Sequence, residues 1–85
     1  MRKKAVYDVA IAHVLRKLHD EGHIPRDVLA KALDVPELEL TRIELGSEPL
    51  SAGGLVMLLE FSKLSWDEFL GRVQAELPAA EKSVR

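Results

Sequence analysis

The chain has 85 residues, enough for one small domain, and its 47% apolar and 31% charged content is typical of a globular protein. It contains no cysteine, which excludes disulfides and thiolate metal sites and leads us to expect a cytoplasmic protein. A net charge of -2 is not the basic excess of many nucleic-acid-binding domains, and no apolar run is long enough to span a membrane.

Apolar spacing predicts three helices in the first half of the chain. The first covers residues 5–20 and is ended by Gly22, with an inward stripe of Ile11, Val14, Leu15 and Leu18. Pro25 begins the second, over residues 25–33, whose buried side chains would be Val28, Leu29 and Leu33. A short turn leads to the third, over residues 37–45, which is closed by Gly46 and points Leu40 and Ile43 inward.

Two more helices are predicted in the second half. Ser51 caps a fourth helix over residues 52–64, and Ser65 caps a fifth over residues 66–77 that Pro78 ends. We expect Trp66, Phe69 and Leu70 to close the core. No segment alternates with the period of a β-strand. The sequence therefore predicts an all-α, five-helix domain at 5–77, between a basic arm at 1–4 and a flexible tail at 78–85.

Several motifs occur in an order and spacing that resemble a known family. They are LRKL at 15–18, LAKALDV at 29–35, LTRIELG at 40–46, PLS at 49–51 and LSWDEFL at 64–70. Across about two thirds of the chain they resemble the lambda-repressor-like, Xre-type helix-turn-helix family. The resemblance implies a transcriptional regulator, often a repressor. Such a protein binds double-stranded DNA as a homodimer and lays its third helix in the major groove.

The resemblance also assigns candidate DNA contacts. The outward face of the third helix would meet the bases through Glu37, Leu38, Thr41, Arg42 and Leu45. The phosphates would be held by side chains of the arm, the second helix and the loop after the third helix, namely Arg2, Lys3, Lys4, Arg26, Lys31 and Ser47.

The acidity of the third helix and its flanks conflicts with this assignment. Residues 36–49 contain one basic side chain and four acidic ones, namely Arg42 with Glu37, Glu39, Glu44 and Glu48. Each unpaired carboxylate weakens binding to phosphates. We expect Glu44 to pair within the scaffold. The alternative is a helix-turn-helix scaffold with weakened or lost DNA binding. It would meet another protein through the acidic and apolar face that carries Leu38 and Leu45.

The apolar stripe of the fifth helix predicts a contact between two copies of the chain. Val73 and Leu77 extend its apolar stripe, and with Tyr7 of the first helix they would form a homodimer seam. The alternative is that they pack on the first helix of the same chain. His19 and His23 are four residues apart, but Gly22 interrupts the helix between them, so we predict no metal site. We also expect no cofactor and no enzymatic activity.

Overall fold

The computed structural model describes residues 6–83, and these residues form five α-helices and no strand. The helices are α1 (Val6–Glu21), α2 (Arg26–Ala32), α3 (Glu37–Glu44), α4 (Ala52–Ser62) and α5 (Trp66–Ser83). The prediction of an all-α chain with five helices is therefore confirmed. The predicted arm at 1–4 and the last two residues lie outside the described part. No helix within residues 6–83 is both long enough and apolar enough to cross a membrane.

The helix ends follow local capping chemistry. Gly54 N donates to Ser51 Oγ over 3.0 Å, which caps α4 as predicted. Ser65 and Glu68 cap α5 reciprocally, because Glu68 N donates to Ser65 Oγ and Ser65 N donates to Glu68 Oε1. Gly46 follows α3 with a φ of 75°, in the left-handed region that glycine adopts without strain.

The long helices α1 and α5 lie antiparallel. Lys17 and His13 of α1 contact Glu76 of α5, and one turn beyond them Glu21 lies 3.2 Å from Arg72. The hydrogen bond from Lys17 Nζ is the main reason that the pKa of Glu76 lies below the ordinary carboxyl value. The buried core lies between this pair and the three shorter helices. The largest of its fully buried side chains are Val14, Leu15, Leu29, Leu33, Leu40, Leu58 and Phe69.

Pro78 does not end α5, so the predicted helix end and the start of the tail are wrong. The helix continues to Ser83, and Ala80 is fully buried in the core. Proline removes one backbone hydrogen bond and crowds the preceding turn. The following alanines favour helix, and burial of Ala80 gives the last turn a packing contact that the sequence pattern does not reveal.

Three residues predicted for the core are instead exposed. Val28 has 41% of its surface exposed, because the buried side of α2 consists of Leu29 and Ala30, followed by Leu33 at the end of the helix. Trp66 and Leu70 are each 52% exposed, whereas Phe69 is buried as predicted. Trp66 and Leu70 lie on a side of α5 that faces solvent, although Phe69 in the same turns is in the core.

Candidate nucleic-acid interface

A tight turn joins α2 to α3. Asp34 adopts a φ of 57° in this turn, and its N–H donates to Lys31 O over 3.1 Å. Val35 N donates to Ala30 O over 3.0 Å, and Pro36 then precedes the first turn of α3. Residues 33–36 therefore change the direction of the chain, and the N–H groups of Asp34 and Val35 are hydrogen-bonded to carbonyls of α2. These bonds hold α3 at a fixed angle to α2.

A carboxylate at the end of α3 joins three helices. Glu44 is only 7% exposed, and its two oxygens lie 3.0 Å from His19 Nδ1 of α1 and 3.0 Å from Arg26 Nη1 of α2. A buried carboxylate without partners would be costly, so these contacts account for its position. The expectation that Glu44 pairs within the scaffold is confirmed.

The Arg26 guanidinium has a second set of partners on α3. Its Nη2 donates to Thr41 Oγ1 and, over 3.4 Å, to Glu37 O. Thr41 Oγ1 in turn donates to Glu37 O over 3.2 Å. The guanidinium thus spans the first and last turns of α3. Arg26 was expected to hold phosphate; in the fold both of its terminal nitrogens have partners on α3, so its side chain acts as a clamp between α2 and α3.

The outward face of α3 carries the five side chains expected there. Leu38 and Leu45 are 64% and 62% exposed, and Glu37 and Arg42 are exposed beside them. Thr41 is half-buried because of its contact with Arg26. The structure thus brings these residues onto one surface, where one acidic and one basic side chain leave the face nearly neutral.

The other carboxylates near α3 do not dominate this face. Glu44 points inward, and Glu39 is half-buried to one side of Leu38 and Thr41. Glu48 is half-buried in the loop that follows the helix. The concentration of acidic residues in the sequence therefore overstates the negative charge that a ligand lying on α3 would meet.

The described body of the protein is nevertheless acidic. Four of the twelve Lys and Arg residues of the chain, Arg2, Lys3, Lys4 and Arg85, lie outside residues 6–83, whereas all 14 acidic residues lie inside. The described residues therefore carry a net charge of -6. A polyanion approaching this body would be repelled at long range unless basic side chains lie close to the contact.

The start of α1 lies next to the end of α3. A Cβ added to Gly46 would lie 3.3 Å from Val9 Cγ2 and 3.6 Å from Val9 Cα. On the next turns of α1, Arg16 and His13 line a shallow pocket together with Leu45. His13 and Arg16 of α1 therefore lie beside the outward face of α3 at Leu45.

Two further phosphate-side candidates within the described residues are exposed. Lys31 lies on the outer side of α2, and Ser47 follows Gly46 in the loop after α3. Arg2, Lys3 and Lys4 lie outside the described residues. Arg16, which is not among these candidates, lies beside Leu45. No sequence signal predicts this proximity, because residues 16 and 45 belong to different helices.

Two of the three candidate dimer residues are used inside the chain. Val73 is 4% exposed and lies in the core, and Leu77 packs against the same core from a half-buried position. This agrees with the alternative that they pack on the first helix, and Val73 has no surface to offer a second copy. Tyr7 is 63% exposed and remains available.

His19 contacts Glu44 rather than forming a pair with His23, which is exposed in the turn after α1. Within the described part of the chain, no three His, Cys, Asp or Glu side chains are grouped as a metal site requires.

The chain matches no protein-family model, no curated protein and no solved structure.

Proposed function

We propose that this chain is a cytoplasmic, DNA-binding transcriptional regulator of the lambda-repressor-like, Xre helix-turn-helix type. The supporting observation is that Arg26, Glu44 and His19 hold α3 against α1 and α2 while one whole side of α3 is exposed. A helix held in this way can enter the major groove without reorganising the protein. Arg42 is then the principal donor to base edges, and Leu38 and Leu45 face thymine methyl groups.

The charge distribution decides how such binding would work. Glu44 is neutralised within the fold, so Glu37 is the acidic side chain nearest the bases, where glutamate accepts a hydrogen bond from cytosine N4. Phosphate contacts come from Lys31, Ser47 and the basic arm. Because the described body has a net charge of -6, affinity depends on the arm and falls steeply with salt.

The test is a titration of labelled, mixed-sequence duplex DNA followed by fluorescence anisotropy at low and at physiological salt. We expect micromolar dissociation constants that increase steeply with salt, and removal of residues 1–4 should weaken binding at every salt concentration. Absence of binding at low salt would overturn the proposal. If the chain binds, selection of preferred sites from random duplexes identifies the operator.

A second candidate function rests on the two leucines. Leu38 and Leu45 are the most exposed large aliphatic side chains of the described residues, and they lie seven residues apart on one face of α3. Apolar side chains of this kind at the centre of a protein contact are stabilising when desolvated. The chain would then be a protein-interaction module built on the helix-turn-helix scaffold, with the face of α3 as its contact surface.

The two functions predict different results in the same experiments. If the chain is a protein-interaction module, it should not bind duplex DNA at low salt, and Leu38→Glu should abolish binding of a partner isolated by pull-down. Val28→Glu, an equivalent change at an exposed position on α2, should leave that partner bound. Circular dichroism of both variants verifies that the fold is intact.

A further inference from the structure

A cavity lies between the ends of α1 and α4, with α2 and α5 beside it. Its volume is about 300 Å³, at the low end of the range of roughly 300–1,000 Å³ that small-molecule sites span. Leu29 and Leu58, each 1% exposed, form its floor. The walls are mainly apolar and consist of Leu18, Gly22, Ile24, Phe61, Ser62 and Leu64. The cavity therefore fits a small ligand with an apolar body.

Two side chains of opposite charge lie at the mouth of this cavity. Glu21 of α1 and Arg72 of α5 both line it, with side chains that are 58% and 39% exposed, and Arg72 Nη1 lies 3.2 Å from Glu21 Oε1. His19 also lines the cavity, but its Nδ1 contacts Glu44. The last carbonyl groups of α1 add partial negative charge beside Glu21. The mouth therefore presents an anionic and a cationic group side by side above an apolar floor.

The ion pair at the mouth can be exchanged for contacts with a ligand. Glu21 and Arg72 both remain partly in water, and an exposed ion pair of this kind contributes little to stability. Glu44 differs, because it is 7% exposed and needs its partners within the fold. A ligand with a single charge would leave either Glu21 or Arg72 without a partner. A ligand that carries both charges would satisfy the two side chains together.

We propose that this cavity binds a free α-amino acid with an apolar side chain, such as phenylalanine or leucine. The ammonium group pairs with Glu21, the carboxylate pairs with Arg72, and the side chain enters the cavity above Leu29 and Leu58. Both charged groups of an α-amino acid are attached to one carbon atom, so they reach two neighbouring partners at the same time. The ligand has no net charge, so the acidic body of the protein does not repel it.

The first test uses the full chain without DNA, so its result is independent of the proposed function. Phenylalanine is titrated into isotope-labelled protein, and the amide chemical shifts are followed by NMR. We expect a dissociation constant of about 1 mM or lower, with shifts at Gly22 and Leu64 of the cavity. Gly46, which lies beside Val9 at the other end of α1, should not shift. Absence of shifts up to about 10 mM, or shifts confined to residues outside the cavity, would overturn the proposal.

Analogues of phenylalanine test whether both charges are recognised. Phenylpropanoate lacks the ammonium group of phenylalanine, and phenethylamine lacks its carboxylate. Each should bind the unmodified chain at least about three-fold more weakly than phenylalanine, because each leaves one member of the ion pair without a new partner. Glycine has both charges but no side chain to bury, and it should also bind more weakly. Binding of any of these analogues as tightly as phenylalanine would contradict the proposed site.

Charge variants assign each group of the ligand to its partner. In Glu21→Gln the difference in affinity between phenylalanine and phenylpropanoate should disappear, and in Arg72→Gln so should the difference between phenylalanine and phenethylamine. Both side chains are partly exposed, so the variants should retain the fold, which circular dichroism verifies. Glu60→Gln, at an exposed position of α4 outside the cavity, is the matched control and should keep both differences. If Glu21→Gln and Arg72→Gln also keep them, the proposal fails.

Discussion

The Arg26 guanidinium lies 3.0 Å from the carboxylate of Glu44, and this contact joins the first turn of α2 to the last turn of α3. The other oxygen of Glu44 lies 3.0 Å from His19 at the end of α1. Three helices thus meet at one carboxylate. The sequence lists Arg26 as a phosphate contact and Glu44 among the acidic residues that weaken DNA binding. In the structure the two are partners, and their contact leaves the outward face of α3 exposed.

Removing the charge of Glu44 should destabilise the fold. Glu44→Gln keeps the size of the side chain but leaves Arg26 without its anionic partner at a position that is only 7% exposed. We expect a loss of about 1–3 kcal/mol in the free energy of unfolding, measured by urea denaturation. Glu21→Gln breaks the exposed pair with Arg72 and should change stability by less than about 0.5 kcal/mol. Equal effects would contradict the clamp.

Two glycines should respond to alanine in opposite directions. Gly46 has a φ of 75°, and a Cβ there would lie 3.3 Å from Val9 Cγ2, so Gly46→Ala should destabilise the fold by about 1–2 kcal/mol. Gly71 lies within α5, where a Cβ meets nothing within 4 Å, so Gly71→Ala should stabilise it by about 0.5–1 kcal/mol. Thermal unfolding of both variants measures the contrast, and a shift of the same sign in both would refute the assigned backbone geometry.

Arg42→Ala should weaken binding to a selected DNA site by about 1–3 kcal/mol without changing stability, because Arg42 is the exposed cation on the face of α3. Lys63→Ala removes the same charge from the end of α4, well separated along the chain from α3, and serves as the matched control. Anisotropy titrations at one fixed salt concentration compare the two. If both variants lose the same affinity, Arg42 contributes only general charge and is not a base contact.

Stability below pH 5 should depend on Glu76. Its pKa in the folded chain is lowered, first by the hydrogen bond from Lys17. The ionised carboxylate therefore stabilises the fold above the ordinary carboxyl pKa, and this contribution is lost as pH falls through the lower, folded-state pKa. The free energy of unfolding of the unmodified chain should fall more between about pH 5 and about pH 3 than that of Glu76→Gln.

Lys17→Met provides the control for this pH dependence. Without the Lys17 ammonium, the pKa of Glu76 should move back toward its ordinary value, and the acid-induced loss of stability should become smaller. Parallel pH profiles for the unmodified chain and both variants would show that the contact between Lys17 and Glu76 does not form in solution.

The sequence by itself determined the helices, because the signals that specify them are local. Apolar spacing, the caps at Ser51 and Ser65, and Gly46 after α3 predict five helices close to their observed positions. The outward face of α3 was also predictable, since helical periodicity alone separates Leu38, Arg42 and Leu45 from buried Leu40 and Ile43.

Tertiary packing decided the partners of each side chain, because these depend on residues that are distant in the sequence. Glu44 meets His19 and Arg26 across 25 and 18 residues, and no local pattern predicts either contact. Pro78 remains within a helix whose last turn is buried at Ala80, and Trp66 is exposed although Phe69, three residues later, is in the core. Periodicity describes which side of a helix is apolar, but only the lengths and positions of the neighbouring helices decide which apolar side chains are covered.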